Sequence, residues 1–400
     1  MISKDKEKID LKFWCLSLFI IFTFIDNHSA LFISDYYIPL IIFAVLSIIS
    51  KPIKKVLTVN YKSVSFLALL IIILLATLTN YEECDKGTLL SYLVWFVFLF
   101  FAMNDEPNLR TINMLMRSFV IGSIIISLMV IIFRQNYYSS TEIGLRYTIK
   151  FWRNEVIDPN YLSSYLIVGF GMSVYIALFT VGDYFKRKLY FVFSLIILFA
   201  IFMVGSRAGY VAGFVTTIGA LSQLHKTGKG NRKILAAIAV PVILALLVVL
   251  LPMILPEEIL RRFRISSLFD TSNSLRISHW MAAIECSLKK PILGYGAMHT
   301  MNILQNYSSH RGVAHNTYLT FMLHIGIPGT LIIICIMLSI FRKIRNMRNT
   351  YWLFFFIGFV FLNCMVENHL GITFWLPILL LVYILNYSSI TEDSTPYKEE

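Results

Sequence analysis

Two polar residues stand where polar residues are costly. Arg207 lies in Gly205-Ser206-Arg207-Ala208-Gly209, a turn between two apolar runs with almost no loop on either side. Its charge would sit at or below a membrane interface, and ionisable residues there usually serve a function. His315 opens His315-Asn316-Thr317-Tyr318-Leu319, where a long polar segment enters an apolar run. An imidazole, with an unperturbed pKa of ~6.5, suits proton transfer from a hydroxyl. Further arginines accompany them: Arg146, Arg153, Arg261, Arg262, Arg264, Arg276 and Arg311. The planar guanidinium donates two parallel hydrogen bonds and keeps its charge, which fits phosphate oxygens. Such a cluster at membrane depth suits a lipid diphosphate better than a peptide or an inorganic ion. Each residue also has a plainer use. An arginine at a membrane face can be solvated or snorkel to headgroups, and a histidine beside an Asn316 or Thr317 cap can satisfy a carbonyl. That plainer reading suits His279, His299, His310, His324 and His369 better, His324 as a helix-face residue.

The elements that must position these residues are membrane spans. Hydrophobic residues make up 57% of the 400-residue chain and charged residues 14%, where a soluble domain carries about 25% charged. Mean hydropathy is +0.71, and several uncharged runs can cross a ~30 Å hydrocarbon core at ~1.5 Å per residue. A soluble enzyme, a disordered protein and a secreted disulfide scaffold are excluded. The net charge of +12 does not point to nucleic acid, because Lys and Arg sit mainly in short connections between apolar runs. Those runs predict about twelve spans, near 13–27, 35–50, 64–80, 88–103, 112–133, 160–181, 188–204, 210–224, 233–254, 316–341, 351–366 and 371–387. The first follows a Lys-rich start but has no small-x-small cleavage site, so it reads as an uncleaved helix.

Sidedness follows from the basic connections. One face receives 22 of the 35 Lys and Arg residues, including Lys12, Lys62, Lys226 and Arg348. By the positive-inside rule that face is cytoplasmic, with both termini on it. The external face carries the loop Arg134–Asn160, the turn at 205–209 and the long loop Pro256–His315. In the long loop Leu260, Phe263, Ile265, Leu268, Phe269, Trp280, Met281 and Ile284 alternate with Arg and Ser, a pattern for amphipathic helices lying on a membrane surface. The chain therefore divides into 1–255, nine spans with the external loop 134–160; 256–315, the large external loop; 316–390, spans ten to twelve; and 391–400, a cytoplasmic tail. No C-x-x-C or Cys/His cluster, Walker loop, Rossmann fingerprint or His/Glu metal pattern occurs, so no metal or nucleotide site is expected.

Three separated segments then fall into one order. They are Ser206-Arg207-Ala208-Gly209; Leu275-Arg276-Ile277-Ser278-His279-Trp280 followed by Lys290-Pro291-Ile292-Leu293-Gly294-Tyr295-Gly296; and His315-Asn316, nine residues, then Gly326, two more and Gly329. Over residues 205–330 this set resembles the O-antigen ligase and O-antigen polymerase superfamily, whose members transfer glycans from an undecaprenyl-diphosphate carrier at the outer face of the bacterial cytoplasmic membrane. The resemblance implies an all-α polytopic membrane protein, GT-C-like, with its large external loop between helices 9 and 10. It implies a metal-independent glycosyltransferase without cofactors, in which Arg207 and Arg276 bind the diphosphate and stabilise its leaving charge. His315 would orient or deprotonate the acceptor hydroxyl. Substrate contacts are expected from Arg146, Asp158, Asn160, Arg311, Asn316 and Glu367, the last near the external mouth between helices eleven and twelve. Asp158-Pro159-Asn160 looks like a motif of polymerase-type members and reads equally as an Asp-Pro helix start. The expected partners are a lipid-linked oligosaccharide donor, a glycan or lipid-linked acceptor and, as a candidate, a chain-length regulator. Polymerisation, joining one lipid-linked repeat to the next, is favoured narrowly over ligation to lipid A–core, cell wall or protein. A flippase for the same lipids would carry polar residues along its helices near the midplane, whereas here they collect at one face.

Overall fold

The computed structural model describes residues 9–25, 38–50, 60–137, 146–150, 157–180, 184–227, 257–260, 271–308 and 312–393. Uninterrupted Leu, Ile, Phe and Val runs form its helices, and short polar residues start several of them. The side chains of Asn60, Asp85, Asn108, Asp158 and Asn316 each accept a main-chain N–H of the first turn, which satisfies donors that a helix leaves open. In chain order the helices are α1 (Leu11–Ile25), α2 (Ile38–Ile49), α3 (Tyr61–Leu78), α4 (Lys86–Ala102), α5 (Leu109–Phe133), α6 (Pro159–Phe179), α7 (Tyr184–Val204), α8 (Arg207–Thr227), α9 (Glu257–Leu260), α10 (Thr271–Lys289), α11 (Thr300–Ser308), α12 (Thr317–Arg345), α13 (Tyr351–Asn363) and α14 (Ile372–Asp393). Eleven of the twelve expected spans fall on helices, and the run 233–254 lies outside the described residues. By length and hydropathy α3, α5, α6, α7 and α12 can cross a membrane, while α1, α2, α4, α13 and α14 are shorter apolar helices.

Helix α6 is the centre of the bundle. Of its apolar window 83% is buried, against 33% for α7, so α6 is wrapped by protein while α7 keeps an apolar face outward. Helix α6 packs on α5, α7, α8 and α13, with α14 also against it. Aromatic rings fill much of the interior, including Phe24 edge-on to Tyr165 and Trp375 edge-on to Phe66, Phe96 and Phe321.

The bundle has two chemically different ends. At one, Lys12 pairs with Asp105 at 2.8 Å, both buried, and Lys226 Nζ donates to the Arg348 carbonyl at 3.1 Å. The helices α6, α8 and α12 begin at the other end and run toward this basic one.

The segment 134–160, expected as an external loop, contains a two-stranded antiparallel hairpin, β1 (Gln135–Tyr137) and β2 (Arg146–Thr148), in register Gln135 with Thr148, Asn136 with Tyr147 and Tyr137 with Arg146. The all-helical expectation missed it because three-residue strands are too short to set up a period-2 pattern. In the 256–315 segment, α10 and α11 enclose a small separate core of Ala282, Ala283, Cys286, Tyr295, Met298, Ile303 and Leu304 with Ala314 and Leu323. The opposite face of α10 exposes Ile277, Met281, Ile284 and Leu288, spaced as one helical stripe.

What docks this subdomain is a main-chain contact between two of the glycine-bearing segments. Tyr295 N–H donates to Leu323 O at 2.7 Å, Gly296 N–H to His324 O at 2.9 Å, and Ile327 N–H to Pro291 O at 2.8 Å. The carbonyls of residues 323 and 324 are free to accept because α12 breaks at Gly326 (φ 66°, ψ −175°), two residues before Pro328. That backbone conformation is nearly closed to residues with a Cβ. A Cβ at Gly326 would stand 2.3 Å from Ile292 O, and one at Gly294 would stand 2.5 Å from Leu323 O. The two motifs are thus the halves of one joint.

Candidate active site

His315 immediately precedes the Asn316 cap of α12, whose Oδ1 accepts from Tyr318 and Leu319 N–H at 3.0 and 3.1 Å. To enter the cap the chain turns through a left-handed conformation at His315 (φ 48°), the one positive-φ residue other than glycine among the described residues. Such strain persists only where surrounding structure enforces it, and it gathers at functional sites. The imidazole is half-buried, and burial pushes its pKa down to about 4. The Asp158 carboxylate pulls the other way, and Arg276, His279 and Arg146 push it down further. The imidazole is therefore neutral near pH 7 and able to accept a proton, with a carboxylate and two guanidinium groups close enough to act on it.

Three separate parts of the chain supply those groups. Arg146 comes from β2, where its residue is buried and paired across the hairpin with Tyr137. The Tyr137 hydroxyl reaches Asp158 Oδ2 at 3.5 Å. Asp158 caps α6 by accepting from Asn160 N–H at 2.7 Å, with Pro159 in the first turn. Arg276 and His279 are one turn apart on α10, and the His279 ring lies against Gly312, leaving no room there for a side chain. Arg207 reaches the same region through a relay. Ser206 Oγ donates to Asn160 Oδ1 at 3.0 Å and accepts from Gly209 N–H at 3.3 Å, which fastens the Ser206–Gly209 turn to the start of α6. Arg207 is the first residue of α8 and half-buried; the positive end of a helix adds to its attraction for an anion.

A second polar layer lies beneath His315. Glu367, between α13 and α14, is buried, and Thr300 Oγ1 donates to its Oε1 at 2.7 Å. Thr300 also meets His324 Nε2 at 3.3 Å, and His324 Nδ1 meets the Tyr92 hydroxyl at 2.8 Å. His369 Nδ1 stands 4.0 Å from Glu367 Oε1. Burial pushes the Glu367 carboxyl up to about 7, against the pull of the Thr300 hydroxyl and the main-chain N–H groups of His315 and Ala314.

The structure thus brings Arg146, Asp158, Arg276 and His315 into electrostatic contact, ties Asn160 to the Arg207 turn, and sets Glu367 under the His315 main chain. Asn316 has its side-chain oxygen committed to the cap. Arg311 lies outside the described residues, as do Arg153, Arg261, Arg262, Arg264 and His310. Sequence reasoning overlooked Tyr137, Thr300 and Tyr92, and read His279, His324 and His369 as isolated. For His279 a signal existed, since Arg276 and His279 at i, i+3 share a helix face. His324 sits on the inner face of α12, facing Thr300 and Tyr92, and its role rests on partners 24 and 232 residues away.

Comparison with known proteins gives two matches. A family model described as O-antigen ligase matches residues 191–334, a stretch holding Arg207, Arg276, Gly294, His315 and Gly326. A ComP-specific O-oligosaccharyltransferase of Acinetobacter baylyi is 30% identical over 124 residues, which cover 28% of this chain and 22% of that protein. The chain therefore spans about a fifth of the length of the curated relative that it matches.

Proposed function

We propose that this chain, which carries the O-antigen ligase domain over residues 191–334, transfers a glycan from a polyprenyl diphosphate to an acceptor hydroxyl. The observation that carries the reading is the half-buried, neutral His315 imidazole, entered through a left-handed turn and within electrostatic reach of Asp158, Arg276 and Arg146. In the reaction the acceptor oxygen bonds to the anomeric carbon, whose bond to the diphosphate oxygen breaks. The hydroxyl proton passes to His315, and Asp158 stabilises the imidazolium that results. Negative charge builds on the departing diphosphate, and Arg207 and Arg276 neutralise it in place of a divalent cation. Arg146, with its buried guanidinium, supports the same anion. The site faces outward from the cytoplasmic membrane, at the bundle end opposite the basic turns, where a carrier-linked glycan would be presented.

Ligase-type transfer is the reading we favour for the acceptor. The matched family model is described as O-antigen ligase and the matched relative as a ComP-specific O-oligosaccharyltransferase, and neither name is that of a polymerase. The polymerase alternative rests on Asp158-Pro159-Asn160. Here Asp158 has a structural use as a helix cap and Asn160 another as the partner of Ser206, so the motif weighs less toward polymerisation.

The test is a gel of surface and lipid-linked polysaccharide from cells lacking the gene, complemented with wild type, His315→Ala or Arg207→Ala. Long chains stranded on the carrier with a bare acceptor are expected from a ligase, and neither variant should restore transfer. Single repeat units still reaching the acceptor would mean polymerase. Unchanged pools, or full transfer by a well-expressed Arg207→Ala protein, would remove the reading.

A further inference from the structure

Glu367 is held by its neighbours in an unusual way. Thr317 Oγ1 donates to Val366 O at 2.6 Å and accepts from Asn368 N–H at 2.9 Å. The residues on either side of Glu367 are thereby clamped to the first turn of α12, two positions after His315. Asn368 Nδ2 in turn donates to Thr373 Oγ1 at 2.7 Å, which meets Ser164 Oγ of α6 at 2.9 Å. The clamp fixes where the Glu367 carboxylate points.

The other side of the carboxylate is equally ordered. With Glu367 ionised, a single arrangement of protons satisfies every contact: Tyr92 O–H donates to His324 Nδ1, His324 Nε2–H to Thr300 Oγ1, and Thr300 O–H to Glu367 Oε1. All donors point toward the carboxylate, and such one-way chains strengthen each member. Glu367 Oε2 is enclosed and makes no regular hydrogen bond. The main-chain N–H groups of Ala314 and His315 are the remaining donors whose pull reaches the carboxylate. They belong to the strained turn itself.

We propose that Glu367 is a positioning residue: its carboxylate anchors the Ala314–His315 main chain in the left-handed turn and so aims the imidazole at the acceptor hydroxyl. This role deepens the transfer reading above and rests on it for its consequence in catalysis. It differs from a sugar contact. Glu367 is 8% exposed, and its Oε1 is taken up by the Thr300 hydroxyl. The reason for placing a charge there is electrostatic. A left-handed residue relaxes unless something rewards its amide direction, and a carboxylate accepting main-chain N–H is a stronger acceptor than a neutral group.

The experiment uses the full-length protein in membranes or detergent. Hydrogen–deuterium exchange of the 312–318 segment is compared with transfer kinetics for wild type, Glu367→Ala, Glu367→Gln and Thr300→Ala. Loss of the anchor in Glu367→Ala should speed exchange there about tenfold and lower kcat about 100-fold, the scale of a displacement of about 1 Å. The KM for donor should hold, since its arginines are untouched. Glu367→Gln keeps an oxygen acceptor without the charge and should recover only part of both losses, to the level that wild type shows once Glu367 is protonated; Thr300→Ala should give a smaller change in the same direction. Unchanged exchange in a folded Glu367→Ala protein overturns the proposal. So does a raised acceptor KM with intact kcat, which would make Glu367 a sugar contact after all. A wild-type protein without transfer activity would sink the functional reading instead, and the exchange comparison would still decide the anchor.

Discussion

At the scale of single residues, two buried titratable groups set the expected pH dependence. Burial holds the His315 imidazole at about 4, with Asp158 opposing and Arg276, His279 and Arg146 assisting. It is therefore unprotonated throughout the neutral range, as a proton acceptor should be. Burial raises Glu367 to about 7, so its anchoring charge is present above that value and lost below it. The neighbouring His369, kept neutral by burial, contributes no compensating charge, and His324 and Tyr92 face it only through Thr300. The sign of the pH dependence follows. Transfer should fall as pH drops through about 7 with the slope of one proton, and should show no further limb until pH nears 4. In Glu367→Gln the limb near 7 should vanish while that of His315 stays. A pH series of kcat for both proteins checks this. A limb that persists near 7 in the variant would assign it to another group. None of this is written in residue spacing: His315 and Arg207 are legible because a charge between apolar runs is costly, whereas a pKa depends on neighbours that only folding supplies.

At the scale of elements, the helices were readable and the joints between them were not. Hydropathy locates a helix because a run of Leu, Ile and Phe can satisfy its backbone in lipid only by coiling. The hairpin that presents Arg146 carries no such constraint. The glycines of 291–296 and 326 could be seen as a pattern, yet their meaning is tertiary, since each makes room for the other's carbonyl. Gly326→Ala would force a Cβ to within 2.3 Å of Ile292 O in a backbone conformation that residues with a Cβ avoid. A loss of about 3 kcal/mol is expected. It should appear as a lowered unfolding temperature in detergent and as faster proteolysis of the 271–308 subdomain. Gly87→Ala is the control. A Cβ there meets only Asp85 carboxylate oxygens, at 3.6 and 3.9 Å, and should change neither measurement. Equal behaviour of the two variants would mean that the joint is not what holds the subdomain down.

At the scale of the whole molecule, the question is which face the site occupies. Positive charge in the connections argued for one orientation, and the fold ties the position of the site to it. The basic turns and the His315 region lie at opposite ends of α6, α8 and α12, so a single orientation fixes both. The site itself was only partly legible: its members come from positions 146, 158, 207, 276 and 315, and nothing in a linear chain announces that Asn160 will accept from Ser206 or that Asp158 will act on His315. Sidedness is directly measurable. The native Cys286 is fully buried and cannot report it, but Glu285 beside it has a side chain 61% exposed. A Glu285→Cys protein should react with an impermeant maleimide in intact cells, while Lys226→Cys, at the basic end, should react only after the membrane is opened. The reverse pattern would place His315 and its arginines on the cytoplasmic side. A carrier-linked glycan would then have to be used before export, which would replace outer-face transfer with a reaction coupled to synthesis of the donor.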